Sequence, residues 1–137
     1  MAGETHMSRI WFATDKICIG GAWRAPESAK TLPIRDPSTG ETFGEVARGT
    51  APDIDAAVAA AHGALNSDWG RMTATERGRV LPRLGQLVLK WIDDLAWMEA
   101  RDVGKPLNQA RNDVTALARY MEFYGGAADK LHGTTIP

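Results

Sequence analysis

The spacing of apolar residues changes once along the chain, near residue 49. Before that point apolar residues come in short runs divided by turn formers. Lys16-Ile17-Cys18-Ile19 is a short run rich in β-branched residues, Gly20-Gly21 is a turn signal, and Ala22-Trp23-Arg24 returns from it, which predicts a tight hairpin. Leu32 to Arg35 is a third extended run and leads into Asp36-Pro37-Ser38-Thr39-Gly40, a dense turn cluster. Thr42 to Ala47 is the fourth predicted strand, closed by Gly49.

After Gly49 the period becomes 3.6 and four helices are predicted. The first starts at Thr50-Ala51-Pro52-Asp53, with Thr as cap, Pro in the first turn and Asp three residues after the cap. Its apolar face is Ile54, Val58, Ala61 and Leu65, and Asn66 to Gly70 ends it. Thr73-Ala74-Thr75-Glu76 is a second capping box. It opens a helix striped by Val80, Leu84, Leu87, Val88, Trp91 and Ile92. Pro82 falls inside that stripe, where an interior proline costs about 3 kcal/mol, and the sequence offers no reason for it. A third helix spans 94–103, capped by Asp93 or Asp94 and stopped at Gly104. Pro106 opens the fourth. Leu107, Ala110, Val114, Leu117, Met121 and Tyr124 step by threes and fours until Gly125-Gly126, which is predicted to end it. Residues 127–137 form a polar exit.

A chain of 137 residues is long enough for one domain with a core, and 44% hydrophobic with 24% charged residues is the balance of an ordinary globular protein. With 16 basic against 17 acidic residues the net charge is −1. No basic face is available for nucleic acid or an anionic membrane, and no apolar run reaches the ~20 residues of a membrane span. Cys18 is the sole cysteine, so no intrachain disulfide forms. His6, His62 and His132 are too scattered to build a zinc site with it. A reducing cytoplasm is the expected location. Residues 1–6 read as a leader ahead of a natural start at Met7, because His6-Met7 is the dipeptide a common cloning site encodes.

Candidate chemistry is sparse. Gly20-Gly21 and Gly125-Gly126 lack the spacing of a phosphate-binding loop. Cys18 lies in a predicted strand with only Lys16 near, so it reads as a small space-filling residue rather than an activated nucleophile. Asp93, Asp94, Glu99 and Asp102 read as caps and a solvated helix face, His62 as a surface or half-buried residue, and Trp69, Trp91 and Trp97 as core and edge anchors. The sharp stop and restart at Asp102-Val103-Gly104-Lys105-Pro106 stands out. So does an extended apolar end without a capping element, the kind of end a cut from a longer polypeptide leaves.

From about Lys16 to Pro137 the chain resembles the N-terminal region of the aldehyde dehydrogenase superfamily. Ile19-Gly20-Gly21-Ala22-Trp23 looks like its opening hairpin, and Asp36-Pro37-Ser38-Thr39-Gly40-Glu41 like its Asn-Pro-Ser-Thr-Gly-Glu turn, with Asp in place of Asn. Trp69-Gly70-Arg71-Met72, Arg77-Gly78-Arg79-Val80-Leu81 and Gly104-Lys105-Pro106 follow in the family's order. Tyr124-Gly125-Gly126-Ala127-Ala128-Asp129-Lys130 and Gly133-Thr134-Thr135-Ile136-Pro137 close the match.

The resemblance implies an α/β, aldehyde dehydrogenase-like fold present only as an N-terminal fragment: β-hairpins followed by four amphipathic helices, without the Rossmann-like core. Residues 7–137 would then be the incomplete N-terminal part of a cofactor domain. The complete enzyme would oxidise a small-molecule aldehyde to the acid with NAD or NADP. In that chemistry a cysteine adds to the aldehyde as a thiohemiacetal, hydride passes to the nicotinamide, and a glutamate activates water. An asparagine side chain and a backbone N–H hold the oxyanion. All those residues lie further along the family's chain, so no catalytic and no cofactor-binding residue is assigned here, and no cofactor is expected on this fragment alone. Two lesser roles carry over. Ile34, Arg35 and Asp102 match positions that hold a monovalent cation in some members, through backbone carbonyls near the turn and the acid before Gly-Lys-Pro, and Asn112 and Ala116 match one wall of the aldehyde entrance, the small Ala116 leaving room for a bulky substrate. The parent is expected to be a homo-oligomer, and the fragment to self-associate through apolar faces shaped for a missing neighbour. The alternative reading is a stand-alone helical interaction module derived from the same lead-in fold.

Overall fold

A computed structural model describes residues 10–134 and residue 136. The expected leader 1–6 and start at Met7 lie outside the described residues, as do Thr135 and Pro137 of the closing motif.

The four strands form where the turn chemistry places them. β1 (Ile17–Ile19) and β2 (Ala22–Arg24) pair antiparallel, with Cys18 opposite Trp23. Gly20 and Gly21 both take positive φ, +60° and +81°, the conformation a two-residue hairpin turn demands. β3 (Thr31–Arg35) and β4 (Thr42–Ala47) form a second antiparallel ribbon with an irregularity between Ile34 and Arg35. Two-stranded ribbons are barely stable alone, so each needs a helix to lean on.

Six helices follow among the described residues: α1 (Ala51–Leu65), α2 (Asp68–Arg71), α3 (Ala74–Gly78), α4 (Val80–Lys90), α5 (Ile92–Val103) and α6 (Leu107–Ala127). Of the four helices the periodicity predicts, the second is divided into α3 and α4, and α2 is an additional short turn. Both predicted N-terminal signatures are built. The Asp53 carboxylate accepts from the backbone N–H and hydroxyl of Thr50, each at 2.9 Å, and from the backbone N–H of Glu27 at 3.2 Å. Arg24 lies 3.7 Å away. These donors, the Thr50 N–H first, hold the Asp53 carboxyl below its usual range, and they tie the β2–β3 connection to the start of α1. At α3, Glu76 accepts from the Thr73 N–H at 2.7 Å while the Thr73 hydroxyl accepts from the Glu76 N–H at 3.2 Å.

Pro82 now has an explanation. The predicted long helix breaks at Arg79, so Pro82 is the third residue of α4 rather than an interior one. In the first turn its missing N–H breaks no helical bond. The predicted cap at Asp93 or Asp94 is not built: α5 begins at Ile92, both acids sit in its first turn, and Asp93 pairs with Arg111 instead. Gly104, with φ +74°, ends α5 as expected. Gly125-Gly126 does not end α6, which runs on to Ala127.

The reason is packing. Helix α6 lies between α4 and α5, and the buried cluster is Val88 of α4, Ala96 of α5, and Ala110, Val114 and Ala118 of α6. The three alanines lose all contact with solvent. Where α6 crosses the α3–α4 break, a Cβ on Gly125 would sit 2.6 Å from both the Gly78 carbonyl oxygen and Pro82 Cδ, and a Cβ on Gly78 would sit 2.5 Å from the Gly125 carbonyl oxygen. Two glycines and a proline thus let the backbones touch.

Large apolar residues lie outside this core. On α4, Val80, Leu84 and Leu87 point to solvent. The predicted α1 stripe is also reversed: Ile54, Val58, Ala61 and Leu65 are exposed, and the buried residue of α1 is Asp53. Cys18 is likewise exposed on β1 rather than filling space. Trp69 and Trp91 are more than one-third exposed, and Trp91 stacks on Trp11 with centroids 5.1 Å apart.

Replacing Gly125 with Ala should lower unfolding free energy by about 1–3 kcal/mol, because backbone and a proline ring cannot step aside. Gly126→Ala, one residue on and facing open space, should gain up to about 1 kcal/mol from helix propensity. Urea unfolding followed by circular dichroism separates them, and equal effects at both positions would contradict the crossing.

Candidate functional site

The features that resemble family motifs meet at the junction of the β3–β4 turn with the α5–α6 joint. Asp36 starts the turn. Its backbone carbonyl accepts from the Gly40 N–H at 2.7 Å, its own N–H donates to the Glu41 carbonyl at 2.8 Å, and its carboxylate accepts from the Ser38 N–H at 2.8 Å. Asp-Pro-Ser-Thr-Gly folds this way because Asp bonds its own backbone two residues on and Gly40 supplies positive φ. The turn then docks on the joint: a Cβ at Gly104 would come within 2.8 Å of Pro37 Cγ.

Arg101, in the last turn of α5, locks this contact. Its guanidinium lies 3.3 Å from the buried Asp36 carboxylate and packs over the ring of Phe43 at 4.9 Å and of Trp97 at 5.9 Å. Its Nε is buried with no hydrogen-bond partner. Arg suits this place because the flat cation satisfies a carboxylate at one edge and stacks with its faces. Sequence reading missed this pair, since nothing local links residue 36 to residue 101.

Lys105 of the joint turns the other way. Its ammonium is 2.5 Å from Glu99 Oε1 on α5 and 2.8 Å from Asp113 Oδ2 on α6. Hydrogen bonds to Asp113 and then Glu99 raise its pKa above the usual lysine value, outweighing the desolvation that opposes them. This group too was invisible in the sequence, where Glu99 reads as part of a solvated helix face.

The three residues matched to a cation are only partly gathered. Ile34 and Asp102 line one cavity of about 290 Å³ between the second ribbon and α5, together with Glu99 and a largely apolar wall that includes Phe12, Phe43 and Trp97. Arg35 does not line it, and its guanidinium donates to the Gly40 carbonyl at 3.3 Å. Among the described residues no group of three or more His, Cys, Asp or Glu side chains could hold a metal. With Glu99 engaged by Lys105, Asp102 is the other carboxylate on this cavity among the described residues, which is part of an oxygen shell and not a complete one.

Asn112 and Ala116 stand one turn apart on one side of α6, Asn112 exposed and Ala116 half-buried. Tyr120, 61% exposed, continues the line, so this side has little cover from the described residues. Asn112 itself sits between two anchored neighbours: Arg111 pairs with Asp93, and Asp113 with Lys105. The glycine pairs make no phosphate cradle, because Gly20-Gly21 is the hairpin turn and Gly125 the helix crossing. No described helix is long and apolar enough to cross a membrane.

Residues 23–137 match the model of the aldehyde dehydrogenase family. The chain is 43% identical over 125 residues to the mitochondrial benzaldehyde dehydrogenase of Antirrhinum majus, covering 90% of this chain and 23% of that one. It is 44% identical over 125 residues to retinal dehydrogenase 2 of Mus musculus, covering 89% and 24%. Among solved structures, one from Burkholderia cenocepacia, provisionally described as an aldehyde dehydrogenase, superposes with a TM-score of 0.83 at 58% identity, covering 88% of this chain and 25% of that one. A variant of the Bacillus cereus aldehyde dehydrogenase gives 0.84 at 34% identity, covering 91% and 26%. The chain therefore spans about a quarter of the length of these relatives.

Arg101→Met keeps the apolar stem and removes the cation from a pair that is mostly out of water. It should cost about 1–3 kcal/mol, below the value for a fully buried pair because the arginine is partly exposed. Asp36→Asn keeps one acceptor oxygen, enough for the Ser38 N–H but not for Arg101 as well, turns an amide N–H toward the guanidinium, and should also cost about 1–3 kcal/mol. Denaturant midpoints test both, and a neutral Arg101→Met would refute the lock.

Proposed function

The chain belongs to the aldehyde dehydrogenase family, and we propose that it forms the N-terminal part of an enzyme that oxidises an aldehyde to a carboxylic acid with NAD or NADP. The observation that carries this is the family match along residues 23–137 at a quarter of the relatives' length. When bound, the nicotinamide accepts the hydride that leaves the substrate. The residues of this chain do something else: they position. The Asp36–Arg101 lock and the Gly104–Pro37 contact fix the second ribbon on α5, and α6 presents Asn112 and Ala116 as one wall of the aldehyde entrance. With Ala116 small, the wall leaves room for a bulky aldehyde.

A monovalent cation belongs to the same proposal, with Asp102 the side-chain ligand, the backbone carbonyls of Ile34 and Arg35 beside it, and further oxygens supplied by the rest of the enzyme. The complete protein acts as a homo-oligomer in a reducing compartment, the cytoplasm, and engages neither nucleic acid nor membrane. The solved relative PnpE, crystallised with nicotinamide adenine dinucleotide and 32% identical to this chain, supports the cofactor class.

The 137-residue chain alone should reduce neither NAD nor NADP with any aldehyde, because the resemblance assigns the nucleophile and the dinucleotide site to no residue of this chain. Absorbance at the NADH wavelength, with short and bulky aldehydes, checks this. An aldehyde-dependent gain from this chain alone would overturn the assignment of its residues to positioning and favour a self-sufficient enzyme.

A further inference from the structure

We propose that Lys105 is a positioning residue that holds the N-terminal half of α6 on α5 and so sets where Asn112 and Ala116 stand in the aldehyde entrance. The inference rests on the reading of α6 as an entrance wall and goes beyond it by naming what places the wall.

Charge balance at the α5–α6 seam depends on Lys105. Two carboxylates from different helices, Glu99 of α5 and Asp113 of α6, converge on one ammonium, at 2.5 Å and 2.8 Å. Lys105 is about three-quarters buried, and both acids are more than half buried, so water screens this group less than it does an open surface pair. Asp113 adjoins Asn112 in sequence and Ala116 lies one turn beyond, so a displacement of Asp113 carries the wall with it. The group is also poised asymmetrically. Removing Lys105 leaves two like charges facing each other across the α5–α6 seam, which pushes the helices apart. Removing either acid leaves an intact ion pair. The neighbouring core cannot resist such a push strongly, because Ala96, Ala110 and Val114 offer small side chains there. A cavity of about 170 Å³ bordered by Glu99, Asp113, Val114 and Leu117 also leaves space for movement.

The test has two arms. In the 137-residue chain, amide hydrogen exchange across residues 107–116 should accelerate at least threefold in Lys105→Met, while residues 80–90 stay unchanged. Adding Glu99→Gln to Lys105→Met should reverse most of that, Lys105→Arg should behave as the parent, and Asp113→Asn alone should change little. In the complete enzyme, Lys105→Met should raise KM for a bulky aldehyde about two- to fivefold more than for a short one, with kcat for the short aldehyde within about twofold. Such a change corresponds to the strength of a half-exposed ion pair. Ala116→Phe is the control for the wall itself and should shift the same KM ratio. If Ala116→Phe shifts it and Lys105→Met does not, the wall stands and the role of Lys105 is overturned. If neither shifts it, the wall reading falls and this inference with it. Uniform loosening of the whole chain in Lys105→Met, without rescue by Glu99→Gln, would also overturn it.

Discussion

Helix α6 crosses the α3–α4 break with only the Pro82 ring and the Ala128 methyl beside the touching backbones, and the rest of the helical layer is arranged around that approach. Gly78, Gly125 and Pro82 fill the crossing themselves. Further along, Gly85 faces the Ala118 carbonyl, where a Cβ would come within 3.1 Å, and Ala96, Ala110 and Ala118 complete a seam of small residues. Close approach gives good van der Waals contact but removes little apolar area from water. At about 25 cal/mol per Å², alanines contribute far less than the leucines and tryptophans this chain possesses. Those larger residues are exposed: Leu84 and Leu87 on α4 and Tyr120, Phe123 and Tyr124 on α6, and likewise Ile54, Val58 and Leu65 on α1. The chain thus spends its small residues inside and keeps its large ones outward, as a layer meant to be covered does.

Polar contacts supply what the thin core does not. Asp53 accepts from Thr50 and Glu27, faces the charge of Arg24, and joins ribbon to helix. Asp36 and Arg101 join the second ribbon to α5, and Lys105 joins α5 to α6. Each bridges two elements that apolar burial alone holds weakly. Such bridges give direction as well as energy, since a carboxylate with several fixed donors tolerates one placement. That is the property a positioning segment needs if the reacting groups lie elsewhere.

The local grammar of the chain was legible. Gly20-Gly21, the two Thr-initiated capping boxes and Gly104 appear where residue type predicts them, and the strands agree to within a residue. Whatever depended on a distant neighbour was not. The break at Arg79 has a cause 46 residues away, in Gly125, so Pro82 looked like a fault. Gly125-Gly126 read as a stop because a glycine needed for close approach is indistinguishable in sequence from one needed for a turn. The α1 stripe was recognised as apolar and assigned to the interior, whereas the described residues leave it exposed. Ion pairs at separations of 6, 8 and 65 residues gave no periodic signal. For Asn112, Ala116, Ile34, Arg35 and Asp102 the family resemblance proposes roles that their exposure and partners alone do not define.

Sedimentation velocity of the 137-residue chain across a wide concentration range tests most directly whether its large apolar faces await a neighbour. Uncovered leucines and aromatics on three helices should drive concentration-dependent association. A single monomeric species at every concentration, with a sharp and reversible melt, would show that the small-residue core suffices by itself and would contradict the account.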